Sequence, residues 1–263
     1  MNRASGSWPG STRVPTFKLT LAYDGTRYHG WQRQRELPTI QGELETALAR
    51  VSGQSITTVG SSRTDAGVHA LGQVVSLALD TRLEADVLAR AVNAFLPDDI
   101  VVREAAAVRD DFHAIADTIR KRYRYVIDNG AVRDVFSRTT AWHLHRPLDA
   151  EAMHRAGQAL VGRHDFRSFE THWPNTTHSV RTIFELCVAR GTGEARDRVT
   201  LEVEADGFLY NMVRSIVGTL VAVGHGRRDE AWPAEVLAAQ DRCAAGRTAP
   251  PEGLCLLYIE CRD

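Results

Sequence analysis

VHALGQVVSLAL, residues 68–79, reads as a long strand rich in strand formers, and its neighbours on either side decide the fold. Just upstream, residues 55–59 (SITTV) read as a short strand. Before that, Thr39 caps a helical stretch in which Ile40, Leu44, Leu48 and Val51 recur at three- and four-residue spacing, and Gly53 closes it. Residues 17–23 (FKLTLAY) alternate as a first strand. Downstream, residues 84–95 put Val87, Leu88, Ala91, Val92 and Phe95 on one helix face, with Pro97 beyond the end. Residues 100–106 make a final strand. The order strand–helix–strand–strand–helix–strand is that of the split, ferredoxin-like arrangement.

The second half repeats it. Residues 122–128 read as a strand. Asp149 caps a helix carrying Met153, Ala156 and Leu160, ended by Gly162. Residues 180–189 and 199–205 read as strands, and residues 209–223 as a strongly apolar helix with Met212, Val213, Ile216, Val217 and Leu220. Gly218 on that helix leaves room for another element to come close. An extra helix at residues 232–239 precedes a last strand at 255–260. The expected class is α+β: two ferredoxin-like halves joined near residues 110–116, their sheets paired around a catalytic cleft to which both contribute. The expected division is a leader at 1–15, an N-terminal α/β domain at 16–112 and a C-terminal one at 113–263.

The opening residues are small, polar and rich in Gly, Ser and Pro, and read as a disordered leader without the apolar core of a signal peptide. No stretch reaches the roughly 18 apolar residues of a membrane helix. A cytoplasmic location is the expectation. Cys187, Cys243, Cys255 and Cys261 show no C-x-x-C pair and read as reduced, mostly buried thiols, neither a disulfide framework nor a zinc site. The net charge of −1 does not speak for a nucleic-acid partner, but clustering matters more than the total. Arg120, Lys121, Arg122 and Arg124 form one basic run, followed by His143, His145 and Arg146. Such a run suits RNA phosphates, or is a solvated strand edge.

The segment that carries chemistry is GSSRTDAGVHA, residues 60–70. Gly67 allows a tight turn, and Thr64 and Asp65 are residues that hydrogen-bond local backbone. Asp65 could therefore simply cap a turn and pair with Arg63. Alternatively it is an ionised carboxylate beside Arg63, on a loop fixed by two strands, able to act as nucleophile or general base.

The run SSRTDAGVHA resembles the active-site motif of the tRNA pseudouridine synthase A family, whose essential aspartate aligns with Asp65. Further likenesses fall in family order: residues 23–34 (YDGTRYHGWQRQ), 39–45 (TIQGELE), 121–125 (KRYRY), 164–169 (HDFRSF), 208–218 (FLYNMVRSIVG) and 253–256 (GLCL). The resemblance implies a cofactor-free, metal-free homodimer that isomerises uridine to pseudouridine at positions 38 to 40 of the tRNA anticodon stem-loop. It implies Asp65 as nucleophile, Tyr123 as the tyrosine that stacks on the target base, Arg214 as the aspartate's basic partner and Arg63 as an RNA contact. Leu254 or Leu256 closes the pocket; Trp31, His69, Arg120 and Lys121 are further substrate-binding candidates. Arg214 would also be costly to bury unpaired on so apolar a helix, so a carboxylate partner is expected on physical grounds. Two positions depart from the family pattern: Ile115 stands where arginine is common, and Asn211 where histidine is frequent.

Other classes fit less well. A non-catalytic RNA-binding protein on two RRM-like halves needs an aromatic RNP strand that is not present. A zinc nucleobase deaminase needs H-x-E and P-C-x-x-C. An aspartic hydrolase needs two carboxylates close together, whereas Asp65 is flanked by cations.

Overall fold

The computed structural model describes residues 14–171 and 178–262. The expected leader, residues 1–15, lies outside them except for its last two residues, and Pro15 already accepts a hydrogen bond from Leu79.

The first half is built largely as its local signals require. Strand β1 (Thr16–Tyr23) leads to helix α1 (Ile40–Ser52), where the Thr39 side chain accepts from Gly42 N and Gly53 ends the helix at φ 69°. Strands β2 (Val59–Gly60) and β3 (His69–Ala78), helix α2 (Ala85–Asn93) and strand β4 (Ile100–Val108) follow. Two expectations fail here. Phe95, expected on the apolar face of the second helix, lies beyond the end of α2 and is exposed. The strand at 55–59 shrinks to two residues because α1 takes its backbone. Glu45 Oε1 accepts from Thr58 N at 2.9 Å, and Gln41 Nε2 donates to Thr58 O at 2.9 Å.

The second half runs through β5 (Thr118–Asp128), β6 (Trp142–His143), α3 (Ala150–Gly157), β7 (Gly162–Asp165), β8 (Val180–Arg190), β9 (Arg198–Ala205), α4 (Met212–Gly224), α5 (Trp232–Ala239) and β10 (Leu254–Cys261). Gly162, expected to stop the helix, instead opens the short edge strand β7.

Both halves share one sheet, in the order β4-β1-β3-β10-β5-β9-β8-β7, with β2 and β6 attached to β3 and β5. Within it, β4-β1-β3-β2 and β10-β5-β9-β8 have the same fourth-first-third-second order. The halves are thus joined edge to edge: β10 pairs in parallel with β3 at His69↔Cys255 and Ala70↔Leu256, and antiparallel with β5. One continuous apolar core runs beneath both, from Leu19, Leu44 and Leu88 to Tyr125, Ile216 and Leu220. Among the described residues no helix is long and apolar enough to cross a membrane. The four cysteines are free; three are half-buried and Cys243 is exposed, so they are less sheltered than expected.

Candidate active site

The loop between β2 and β3 is held by side chains from beneath. Ser61 N donates to Val74 O at 2.8 Å. Gln73, fully buried, takes both backbone groups of Ser62: its Oε1 accepts from Ser62 N at 3.1 Å and its Nε2 donates to Ser62 O at 2.5 Å. Thr64 Oγ1 lies 2.8 Å from Tyr23 Oη, and Trp31 N donates to Thr64 O at 3.0 Å. Val68 N then donates to Asp65 O, closing a turn in which Gly67 has φ +79°, a conformation that L side chains rarely adopt.

What this loop presents is Asp65. Its partner is Arg214, not the adjacent Arg63. Arg214 Nη1 donates to Asp65 Oδ2 at 3.0 Å, with the two side chains 15% and 19% exposed. The same nitrogen donates to Asn211 Oδ1 at 2.6 Å, and Arg214 Nε donates to Ala249 O at 2.7 Å. The guanidinium is therefore fixed at three points. Asn211 sits at the N-cap of α4 with φ 61°, a left-handed conformation that asparagine tolerates better than most residues. The segment carrying Ala249 comes close because of Gly218: a Cβ there would lie 1.7 Å from Arg247 O. Two opposed effects set the acidity of Asp65. Burial raises its pKa above the ordinary aspartate value, while the charge of Arg214 and its hydrogen bond pull it back. Burial wins, so Asp65 gives up its proton less readily than a free aspartate, contrary to the sequence expectation of simple stabilisation by a cation.

Tyr123 reaches the same place from β5. Its hydroxyl lies 2.8 Å from Ser62 Oγ, and Phe208 packs edge-on against its ring at 5.2 Å between centroids. Burial first, and the neighbouring Asp65 charge after it, keep the phenol protonated far above its usual range. Leu256 and Leu254 pair with Tyr123 and Tyr125 across the β5–β10 ladder and are both buried. Lys121, two residues from Tyr123 and so on the same side of the strand, donates from Nζ to Ser61 O at 2.6 Å; burial lowers its pKa to about 8.

Other expectations change. Strand alternation turns Arg120, Arg122 and Arg124 to the side opposite Tyr123. There they interleave with glutamates: Arg120 with Glu204 and Glu260, Arg122 with Glu185 and Glu202, Arg124 with Glu202. The basic run is thus an ion-pair lattice on a central strand, and Arg120 is occupied there. Trp31 is 1% exposed and packs against Gly60, so it supports the loop instead of offering a stacking face. His69 is buried and bonded to Gly25 N and Thr139 O. Arg63 is exposed and, among the described residues, makes no hydrogen bond or ion pair. Sequence reasoning missed Ser62, Gln73 and the role of Asn211. The only signal for them was position: polar residues just before Asp65, inside a buried strand, and at the start of an apolar helix.

A loop carboxylate fixed by a helix-borne guanidinium, beside a buried tyrosine from the other half of one sheet, is a site for single-carboxylate chemistry. The chain belongs to the tRNA pseudouridine synthase family, which matches residues 20–115 and 156–260. β5 with Tyr123 lies between the two matched stretches. Relatives span it. A tRNA pseudouridine synthase A of Moorella thermoacetica is 48% identical, over 94% of this chain and all of its own. One from Thermoanaerobacter sp. (strain X514) is 44% identical over 92% and 97%. One from Shigella boydii serotype 4 is 42% identical over 95% and 92%.

Proposed function

We propose that this protein isomerises uridine to pseudouridine in tRNA, with Asp65 as the nucleophile. The observation that carries the reading is the 3.0 Å contact of Arg214 with Asp65 on a loop held by both halves. The reaction breaks the N1–C1′ glycosidic bond, turns the uracil and rejoins it through C5. The C5 hydrogen leaves as a proton and N1 gains one. No oxidation state changes, so no redox cofactor is called for.

The target base must first leave its stack, at a cost of a few kcal/mol. Tyr123 offsets part of this by stacking, about 1–3 kcal/mol per base. Because Tyr123 is 5% exposed, a base reaches the ring only by displacing a neighbour. Ionised Asp65 then attacks C1′ or C6, or abstracts a ribose proton on a glycal route; all three start from the carboxylate that Arg214 favours. The exposed guanidinium of Arg63 is free to meet RNA phosphate or base, and Leu254 and Leu256 close the apolar side of the pocket. The names of the relatives support tRNA as the substrate, and the resemblance read from the sequence motifs supports uridines 38 to 40 of the anticodon stem-loop as targets, cytoplasmic tRNA as the pool and a homodimer as the working form.

The test is tritium release from tRNA labelled at C5 of uridine, comparing wild type with Asp65→Asn. Release by wild type alone is expected, with tRNA binding unchanged in the variant. An active Asp65→Asn would overturn the mechanism. No release by either on a mixed tRNA pool would favour a non-catalytic RNA-binding protein.

A further inference from the structure

Two consecutive serines at the entrance of the catalytic loop cross the seam between the halves. Ser61 O accepts from Lys121 Nζ at 2.6 Å, and Ser61 Oγ lies 2.6 Å from Thr118 Oγ1. Ser62 Oγ lies 2.8 Å from Tyr123 Oη. All three partners stand on β5, which is two strands away from β3. The ladder that spans the seam is short, two residue pairs between β3 and β10. Sheet hydrogen bonds therefore fix where β5 runs but not how the Tyr123 ring stands to the loop above it. Among the described residues, the Ser62–Tyr123 contact is the one hydrogen bond between that ring and the loop carrying Asp65.

We propose that Ser62 is a positioning residue for the isomerisation: through Tyr123 Oη it sets the tyrosine ring relative to the Asp65 carboxylate, and so the pose of the base that enters between them. The inference rests on the function proposed above. It separates cleanly from folding, because both backbone groups of Ser62 are already taken by Gln73. Removing the hydroxyl leaves the loop anchored and frees only the ring. Serine is also small enough that alanine fits its place without new contacts.

The experiment is single-turnover tritium release with Ser62→Ala, Ser62→Thr, Tyr123→Phe and the Ser62→Ala/Tyr123→Phe double variant, alongside filter-binding affinity for tRNA. Ser62→Ala is expected to slow the step by about tenfold, the scale of one lost hydrogen bond, with tRNA affinity within about twofold of wild type. Ser62→Thr recovers most of the rate. The double variant is no slower than Tyr123→Phe, because both single changes remove the same bond. A wild-type rate in Ser62→Ala, losses that multiply in the double variant, or an affinity loss that accounts for the whole effect would overturn the proposal while leaving the function intact. An inactive wild type would remove the function and this inference with it. Should Ser62→Ala not fold, Tyr123→Phe breaks the bond from the other side, and a wild-type rate there is equally fatal.

Discussion

Asp65 and Arg214 show how one residue pair can hold a reactive group between two states. Burial alone favours the neutral acid, and the guanidinium alone favours the carboxylate; the balance leaves the Asp65 pKa raised. An acid with a raised pKa is protonated at a higher pH than a free aspartate, so on the proposed mechanism activity should be lost as pH falls through that raised value. Arg214→Gln keeps the option of a hydrogen bond but removes the charge. The Asp65 pKa then rises further, and the acidic limb of the rate profile moves toward neutral pH. On that limb the variant is expected to be slower than wild type by about tenfold or more. Single-turnover rates from pH 5 to 8 check this, and a limb at the wild-type position would mean that Arg214 does not tune Asp65. Three-point fixation of the guanidinium, by Asp65, Asn211 and Ala249, argues that the charge is also held still. Such rigidity is what preorganised electrostatics requires.

Among the elements, those fixed by local signals were legible in the sequence. Helix α1 begins after its Thr39 cap and ends at Gly53, and α5 spans Trp232–Ala239 as its pattern required. Elements decided by distant partners were not. The strand at 55–59 is displaced by Glu45 and Gln41 reaching over from α1. The basic run could not reveal its glutamate partners, which lie on β8, β9 and β10. At the site, Asp65 was visible as an odd residue in a turn. Its pairing with Arg214, 149 residues away, carried no local signal: it came from the family resemblance and from the cost of burying a lone cation. Gly218 is the exception, a close approach read correctly from one glycine in an apolar helix. Adding a Cβ there drives into the Arg247 carbonyl, which is backbone and cannot swing aside. Gly218→Ala should therefore cost about 1–3 kcal/mol of stability in urea unfolding, the usual range for overpacking. Because Ala249 O moves with that segment, the rate should fall as well. A fully active Gly218→Ala enzyme would show that the Ala249 contact to Arg214 is dispensable.

On the scale of the whole molecule, the side of the sheet that carries Tyr123 and the opposite side differ in kind. The opposite side carries a hollow of about 520 Å³ floored by Ala22, Leu71, Val101, Val126 and Leu257, with Asp98 and Asp99 on its rim and Arg124 and Arg198 also lining it. Leu71 and Val101 are 47% and 42% exposed. The loop between β5 and β6 flanks the hollow and holds out Val132, Val135 and Phe136, at 83%, 60% and 91% exposure. Apolar side chains raised beside an apolar depression, with acids and arginines both at hand, form a self-complementary surface of the sort a two-fold interface requires. We infer that this face would join two copies of the chain in the proposed homodimer, with Phe136 of each copy seated in the hollow of the other. So exposed a phenylalanine contributes little to folding, so Phe136→Asp should keep its thermal stability yet sediment as a monomer at micromolar concentration. If Phe136→Asp remains dimeric, the interface lies on another face, and if wild type is itself monomeric, the proposed homodimer must be given up.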